Sequence, residues 1–67
     1  MAVARVTKLT SSSTKYFQDA VDKGLARAAR TLRGITGLDV VSQKAKVVKG
    51  KIAEYRITME VTFVLDE

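Results

Sequence analysis

From Ala53 to Phe63 this chain alternates strictly between apolar and polar residues. Ala53, Tyr55, Ile57, Met59, Val61 and Phe63 fall on one parity, with Leu65 continuing it. Glu54, Arg56, Thr58, Glu60 and Thr62 fall on the other. Only an extended strand sorts alternate residues onto opposite faces. On a helix the same residues would scatter around the cylinder. Ile52–Leu65 therefore reads as a long amphipathic strand. Such a strand needs a hydrogen-bonding neighbour along its edge and a second layer over its apolar face.

The rest of the chain supplies both. Leu38–Val48 reads as a further strand, and Lys49-Gly50 between the two reads as a tight hairpin turn, with glycine taking the positive φ. The hairpin would be roughly 35 Å long at about 3.3 Å per residue. Ala2–Thr10 reads as a first, shorter strand on the strength of Val3, Val6, Thr7 and Leu9. Ser11-Ser12-Ser13-Thr14 offers hydroxyls to cap a helix. Thr14–Arg33 then has helical period, with Phe17, Val21, Leu25, Ala28, Ala29 and Leu32 in one stripe.

Asp19 and Lys23 are four apart with the acid first, and Arg27, Arg30 and Arg33 sit where cations complement the helix dipole. Gly24 costs about 1 kcal/mol against alanine inside a helix, which a backbone passing close by would explain. Gly34 suits a C-cap, and Gly37 loosens the turn after it. The expected fold is α+β: a β-α-β-β chain, 1–67 as a single domain, with a three-stranded antiparallel sheet wrapped around one helix.

Composition narrows the chemistry. The chain has 67 residues, no Cys and no His. That removes disulfides, thiolate metal sites, the commonest general base and the commonest transition-metal ligand. A chain this short has a marginal core, so self-association is the remaining source of stability. The polar face of the last strand has no second layer within the chain, and sister copies are expected to cover it. The net charge of +5 favours anionic partners. No apolar run spans a bilayer, and Met1–Arg5 lacks the apolar stretch of a signal peptide, so a cytoplasmic protein without membrane attachment is expected.

Several strings resemble the dodecin family. They are Leu25-Ala26-Arg27-Ala28-Ala29-Arg30-Thr31-Leu32-Arg33 on the helix, the Ser12-Ser13 entry to it, Gly50-Lys51-Ile52-Ala53, Tyr55 to Phe63, and the closing Leu65-Asp66-Glu67. The resemblance covers nearly the whole chain. It implies a hollow homododecamer of β-α-β-β subunits that binds or stores flavin (FMN or riboflavin) near two-fold axes and performs no catalysis. The family's flavin-stacking Trp aligns with Gly37, and its flavin-bonding Gln aligns with Arg56. Losing the indole removes on the order of 1 kcal/mol of stacking per ring. Arg56 offers donors only, where Gln offers both donor and acceptor. Both departures weaken flavin and favour a more anionic small ligand.

The expected ligand site is therefore Arg56, Thr58 and Glu60 with Gly37 and Leu38 of the Gly34–Leu38 loop, at contacts between copies. Arg56 has two readings, a cross-strand salt bridge at an interface or a bidentate fork for phosphate or carboxylate. Glu54, Glu60, Asp66 and Glu67 match no calcium-loop spacing, so no metal site is assigned. Lys44, Lys46, Lys49 and Lys51 lack interleaved aromatics, which disfavours nucleic acid and suits protection of an exposed edge. No catalytic constellation is present, so the chain is not read as an enzyme. The alternative to ligand storage is a structural or ion-binding oligomeric shell without flavin.

Overall fold

The computed structural model describes residues 3–65. Strand β1 (Ala4–Ser13) leads to helix α1 (Phe17–Ala29), then to β2 (Ile35–Val48) and β3 (Lys51–Val64). The three strands form one antiparallel sheet in the order β1-β3-β2. The amphipathic strand is thus central and takes hydrogen bonds along both edges. This is the fold class expected from the sequence.

The core is the apolar parity of β3 pressed against α1. Ile57, Met59 and Val61 are at most 1% exposed, and Phe63 is buried beside them. Ala20 joins them from the helix, with Leu9, Phe17, Val21, Ile35 and Leu38 packed around. Phe17 meets Tyr55 edge-to-face at 5.0 Å and anchors the start of the helix. The helix lies across β1 and β3, and β2 remains largely outside its cover.

Several boundaries differ from expectation. β1 starts at Ala4 and runs through Ser11, Ser12 and Ser13, so these serines are strand rather than helix caps. (Ala2, where the first strand was expected to begin, lies outside the described residues.) Ser13 still organises the junction: its hydroxyl donates to Asp19 at 2.5 Å and accepts from the Lys15 N–H at 3.0 Å. The helix is shorter than Thr14–Arg33. It closes where the Thr31 N–H reaches back three residues to the Ala28 carbonyl at 3.1 Å, aided by a β-branched residue that resists helix.

The buried helix positions are Ala20, Gly24 and Ala28, spaced by four, whereas Ala29 is exposed. Small residues form the inner line because the helix sits close on the sheet; Ala28 of the expected stripe lies on that line, and Phe17 and Val21 of the same stripe pack around the core beside it. Gly24 is tight against the sheet, but against side chains rather than backbone. A Cβ there would stand 2.7 Å from Met59 Cε, 3.0 Å from Ser11 Cβ and 3.3 Å from Leu9 Cδ1. Arg30, not Gly34, is the C-cap. Gly34 has φ +72° and accepts from the Val64 N–H at 2.9 Å, which ties the chain to the end of β3.

β2 begins at Ile35, so the expected Gly34–Leu38 loop is mostly strand. Register shifts at Ile35/Gly37 and Val40/Ser42 leave Thr36 and Val41 unpaired. Each bulge resets the parity of β2, which is why no clean alternation could be read there. Lys49 (φ 52°) and Gly50 (φ 75°) make the expected hairpin turn.

Candidate functional site: the open face of the sheet

The face of the sheet opposite α1 is built in rungs across β1, β3 and β2. Residues paired across antiparallel strands share a face. Reading along β3, Val6, Thr62 and Gly37 form one rung, then Lys8, Glu60 and Asp39, then Thr10, Thr58 and Ser42, then Ser12, Arg56 and Lys44, and finally Glu54 with Lys46. The middle rung is all hydroxyl, and Thr10 and Thr58 share a hydrogen bond of 3.1 Å. The strand that builds the core on one side thus presents Arg56, Thr58 and Glu60 in one file on the other.

These three expected ligand residues are brought together. Gly37 shares their face but lies at the Thr62 rung, roughly 20 Å from the Arg56 rung at about 3.3 Å per residue. Leu38 pairs with Val61 and packs on the core, facing the other way. Within one chain, Gly37 and Arg56 do not meet.

Arg56 pairs with Glu54 of its own strand, not across the sheet. Its Nη2 and Nε donate to the same Glu54 oxygen at 2.6 and 3.1 Å. Two residues apart on a strand means the same face, so the pair follows from the strand's own period. Sequence reasoning passed over Lys44 and Lys46 as ligand-binding residues. Lys44 stands opposite Arg56 and Lys46 opposite Glu54, and with Ala45 they line a hollow of about 280 Å³. The signal was present in the spacing of the lysines, but the register that aligns them with Arg56 depends on the Val40/Ser42 bulge.

A second hollow, about 290 Å³, runs between the β1 edge and α1, lined by Leu9, Gly24, Ala28 and Leu32 with Lys23 and Arg27 at its rim. Asp19 lies in the first turn of that helix. The Ser13 hydroxyl, with help from Lys23 at 3.2 Å, holds its carboxyl below the ordinary 3.8, against a smaller opposing effect of burial. Among the described residues no acidic cluster suited to a metal ion occurs. Asp66 and Glu67, considered with Glu54 and Glu60 as cation ligands, lie outside the described residues. No described helix is long and apolar enough to cross a membrane.

A small helix-on-sheet unit with a polar open face is the class of protein this architecture defines. The Dodecin family model matches residues 3–66, and the chain belongs to the dodecin family. It is similar to a dodecin of Thermus thermophilus, 29% identical over 65 residues that make up 97% of this chain and 94% of that one. The solved dodecin from Streptomyces davaonensis superimposes with a TM-score of 0.93 at 33% identity, covering 98% of this chain and 97% of that chain. A calcium dodecin from Mycobacterium tuberculosis, described as calcium-chelating, superimposes at 0.82 with 29% identity, covering 96% and 91%.

Proposed function

We propose that this protein is a small-ligand binding and storage subunit, not an enzyme, which assembles into a hollow homododecamer and holds a flavin-type or other anionic ligand where copies meet. The observation that carries the reading is the open face itself: Arg56, Thr58 and Glu60 stand in one file, on the side of the sheet opposite α1, with no described element of their own chain above them. Donor, hydroxyl and acceptor in sequence suit the polar edge of a planar ligand. Gly37, roughly 20 Å away on the same face, joins that site only through a neighbouring copy.

The chemistry left to the chain is binding. It has no His, no Cys and no Trp. A ligand ring over Gly37 meets backbone in place of an indole, so ring stacking contributes little and polar contacts carry the affinity. FMN and riboflavin are the family ligands to test. The cytoplasm, where flavin nucleotides are made and used, is the compartment this role fits.

Quenching of flavin fluorescence on titration tests the reading, with native mass spectrometry reporting the assembly. Gly37 has no positive φ, and a Cβ there would meet nothing within 4 Å, so the backbone at this position accepts a side chain and Gly37→Trp is a usable probe. The substitution should tighten flavin binding about tenfold, the worth of one good stacking contact. Failure of both riboflavin and FMN to bind, in the native protein and in this variant alike, would leave the shell without a flavin role.

A further inference from the structure

The hollow between the β1 edge and α1 lies on the helix side of the sheet. Its β1 wall carries Thr7, Leu9 and Ser11, which pair with Val61, Met59 and Ile57 of the core parity. Leu9, Gly24, Ala28 and Leu32 give it an apolar floor. Gly24 and Ala28 carry little or no side chain, so the flank of α1 stays low between Lys23 and Leu32. Lys23 and Arg27 stand at the rim, one helical turn apart and therefore on one face. Among the described residues no carboxylate lines the hollow. Lys23 is held at 3.2 Å by Asp19, which lies outside the lining, whereas Arg27 is exposed and has no ion-pair partner among the described residues.

We propose that this groove binds a single-chain carboxylate, a fatty acid of medium length. The head group sits on Arg27 and Lys23, and the tail runs along Leu9, Ala28 and Leu32. An apolar floor under a cationic rim selects an amphiphile, since a purely polar anion would leave the floor wet and a neutral apolar molecule would leave Arg27 unused. Arginine offers a planar fork that fits the two oxygens of a carboxylate. The volume of about 290 Å³ equals roughly ten waters at about 30 Å³ each. That holds one acyl chain of about eight carbons with its head group and is too small for a two-chain lipid.

Charge also decides against the other apolar occupant the chain could supply. The hairpin tip of a second copy would bring Val47, Val48 and Ile52, but Lys46, Lys49 and Lys51 come with them. Those lysines would meet Lys23 and Arg27 as like charges, which repel across an interface. The site is independent of flavin storage, because the groove and the file of Arg56, Thr58 and Glu60 lie on opposite sides of the sheet.

Calorimetric titration of the assembled protein with hexanoate, octanoate and octylammonium tests the proposal, using the native chain, Arg27→Glu and Thr31→Trp. Thr31 lines the groove and is exposed, so an indole there fills the space without entering the core. Octanoate should bind the native protein below about 1 mM. Hexanoate should bind about tenfold more weakly, as two methylenes at about fourfold each imply. Octylammonium should also be about tenfold weaker, the worth of one charge-assisted contact. Arg27→Glu should reverse the preference between octanoate and octylammonium, and Thr31→Trp should abolish binding of both. Native mass spectrometry and circular dichroism show that each variant is assembled and folded, and should one variant fail to assemble, the other and the native series carry the test. Equal binding of octanoate and octylammonium, or octanoate binding that neither variant alters, overturns the site by placing the amphiphile elsewhere. Silence of the native assembly toward octanoate overturns it as well, and if Thr31→Trp then falls apart into subunits, the groove is a contact between copies. Riboflavin binding should be the same in all three proteins, so either failure leaves the flavin reading untouched.

Discussion

At the scale of single residues, the helix–sheet contact depends on one missing methyl group. Gly24 lies in the middle of α1, where alanine would gain about 1 kcal/mol of helix propensity. The Cβ would nevertheless stand 2.7 Å from Met59 Cε and 3.0 Å from Ser11 Cβ. Met59 Cε is the end of a flexible side chain but is fully buried, so it moves only by repacking the core, and Ser11 Cβ is fixed to the backbone of β1. Overpacking a core costs about 1–3 kcal/mol, which exceeds the propensity gain. Gly24→Ala should therefore lower stability by about 1 kcal/mol, and Gly24→Val by more, read from denaturation midpoints at matched protein concentration. A stabilised Gly24→Ala would show that the helix can lift off the sheet. Asp19 offers a second test at this scale. Its carboxyl pKa is lowered by the Ser13 hydroxyl first and by Lys23 after it. The unfolded chain thus binds a proton more readily than the folded one across that interval. The stabilisation is complete above the ordinary carboxylate value of 3.8 and fades as pH falls through the lower folded value. Asp19→Asn should be less stable than the native protein at neutral pH, and the gap should close toward strong acid. A gap independent of pH would mean that Asp19 acts through packing alone.

At the scale of elements, what the sequence disclosed depended on whether periodicity survived the fold. β3 keeps strict alternation because it is central and regular apart from one shift near Ala53, and its buried set of Ile57, Met59, Val61 and Phe63 was legible residue by residue. β2 carries the bulges at Thr36 and Val41, each of which flips the parity. Its start, and the alignment of Lys44 with Arg56, were therefore hidden. α1 was legible as a helix, and Phe17, Val21 and Ala28 of its stripe do face the core; Ala20 and Gly24 on the inner line were not legible, because hydrophobic patterning weights bulk and this contact selects against it. Glu54 as the partner of Arg56 was within reach of period two alone. The hairpin turn was legible in place and in the positive φ of Gly50; the structure adds a positive φ at Lys49, and two in succession are what a tight two-residue turn demands. Gly50→Ala should cost about 1 kcal/mol or slightly more, since a left-handed backbone penalises any Cβ. Lys49→Asn should recover part of that loss, because asparagine tolerates this conformation best among non-glycine residues. Thermal unfolding of both single variants and the double variant checks the order. A neutral Gly50→Ala would mean that the turn rearranges.

At the scale of the whole molecule, the chain is too open to be complete alone. Its radius of gyration is 13.9 Å and its extents are 51 × 19 × 13 Å, against a radius of about 11 Å for a compact domain of this length. The accessible surface is 5054 Å², where a compact monomer of this mass exposes roughly 4200 Å². The excess includes apolar surface. Val40, Val41, Val47, Val48 and Ile52 are each 45–61% exposed, on β2 and at the hairpin end that α1 does not reach. The sequence directed attention to the polar face of β3 as the surface in need of neighbours, and the fold adds these aliphatic side chains to it. Val47 and Ile52 are cross-strand partners at the tip, so one substitution probes both. On a lone subunit, Ile52→Asp would replace one exposed side chain by another and change stability by about 0.5 kcal/mol or less. In an assembly that buries the tip, the same carboxylate is taken out of water without a dedicated partner, at a cost of several kcal/mol per copy. Native mass spectrometry should then show a closed multimer for the native protein and a shift toward the 7.3 kDa chain for Ile52→Asp, with circular dichroism reporting the subunit fold. A variant that assembles as the native protein does would place the tip outside the contacts between copies. A native protein that is itself monomeric in dilute solution would remove the shell altogether, and with it the only route that brings Gly37 of one chain to Arg56 of another.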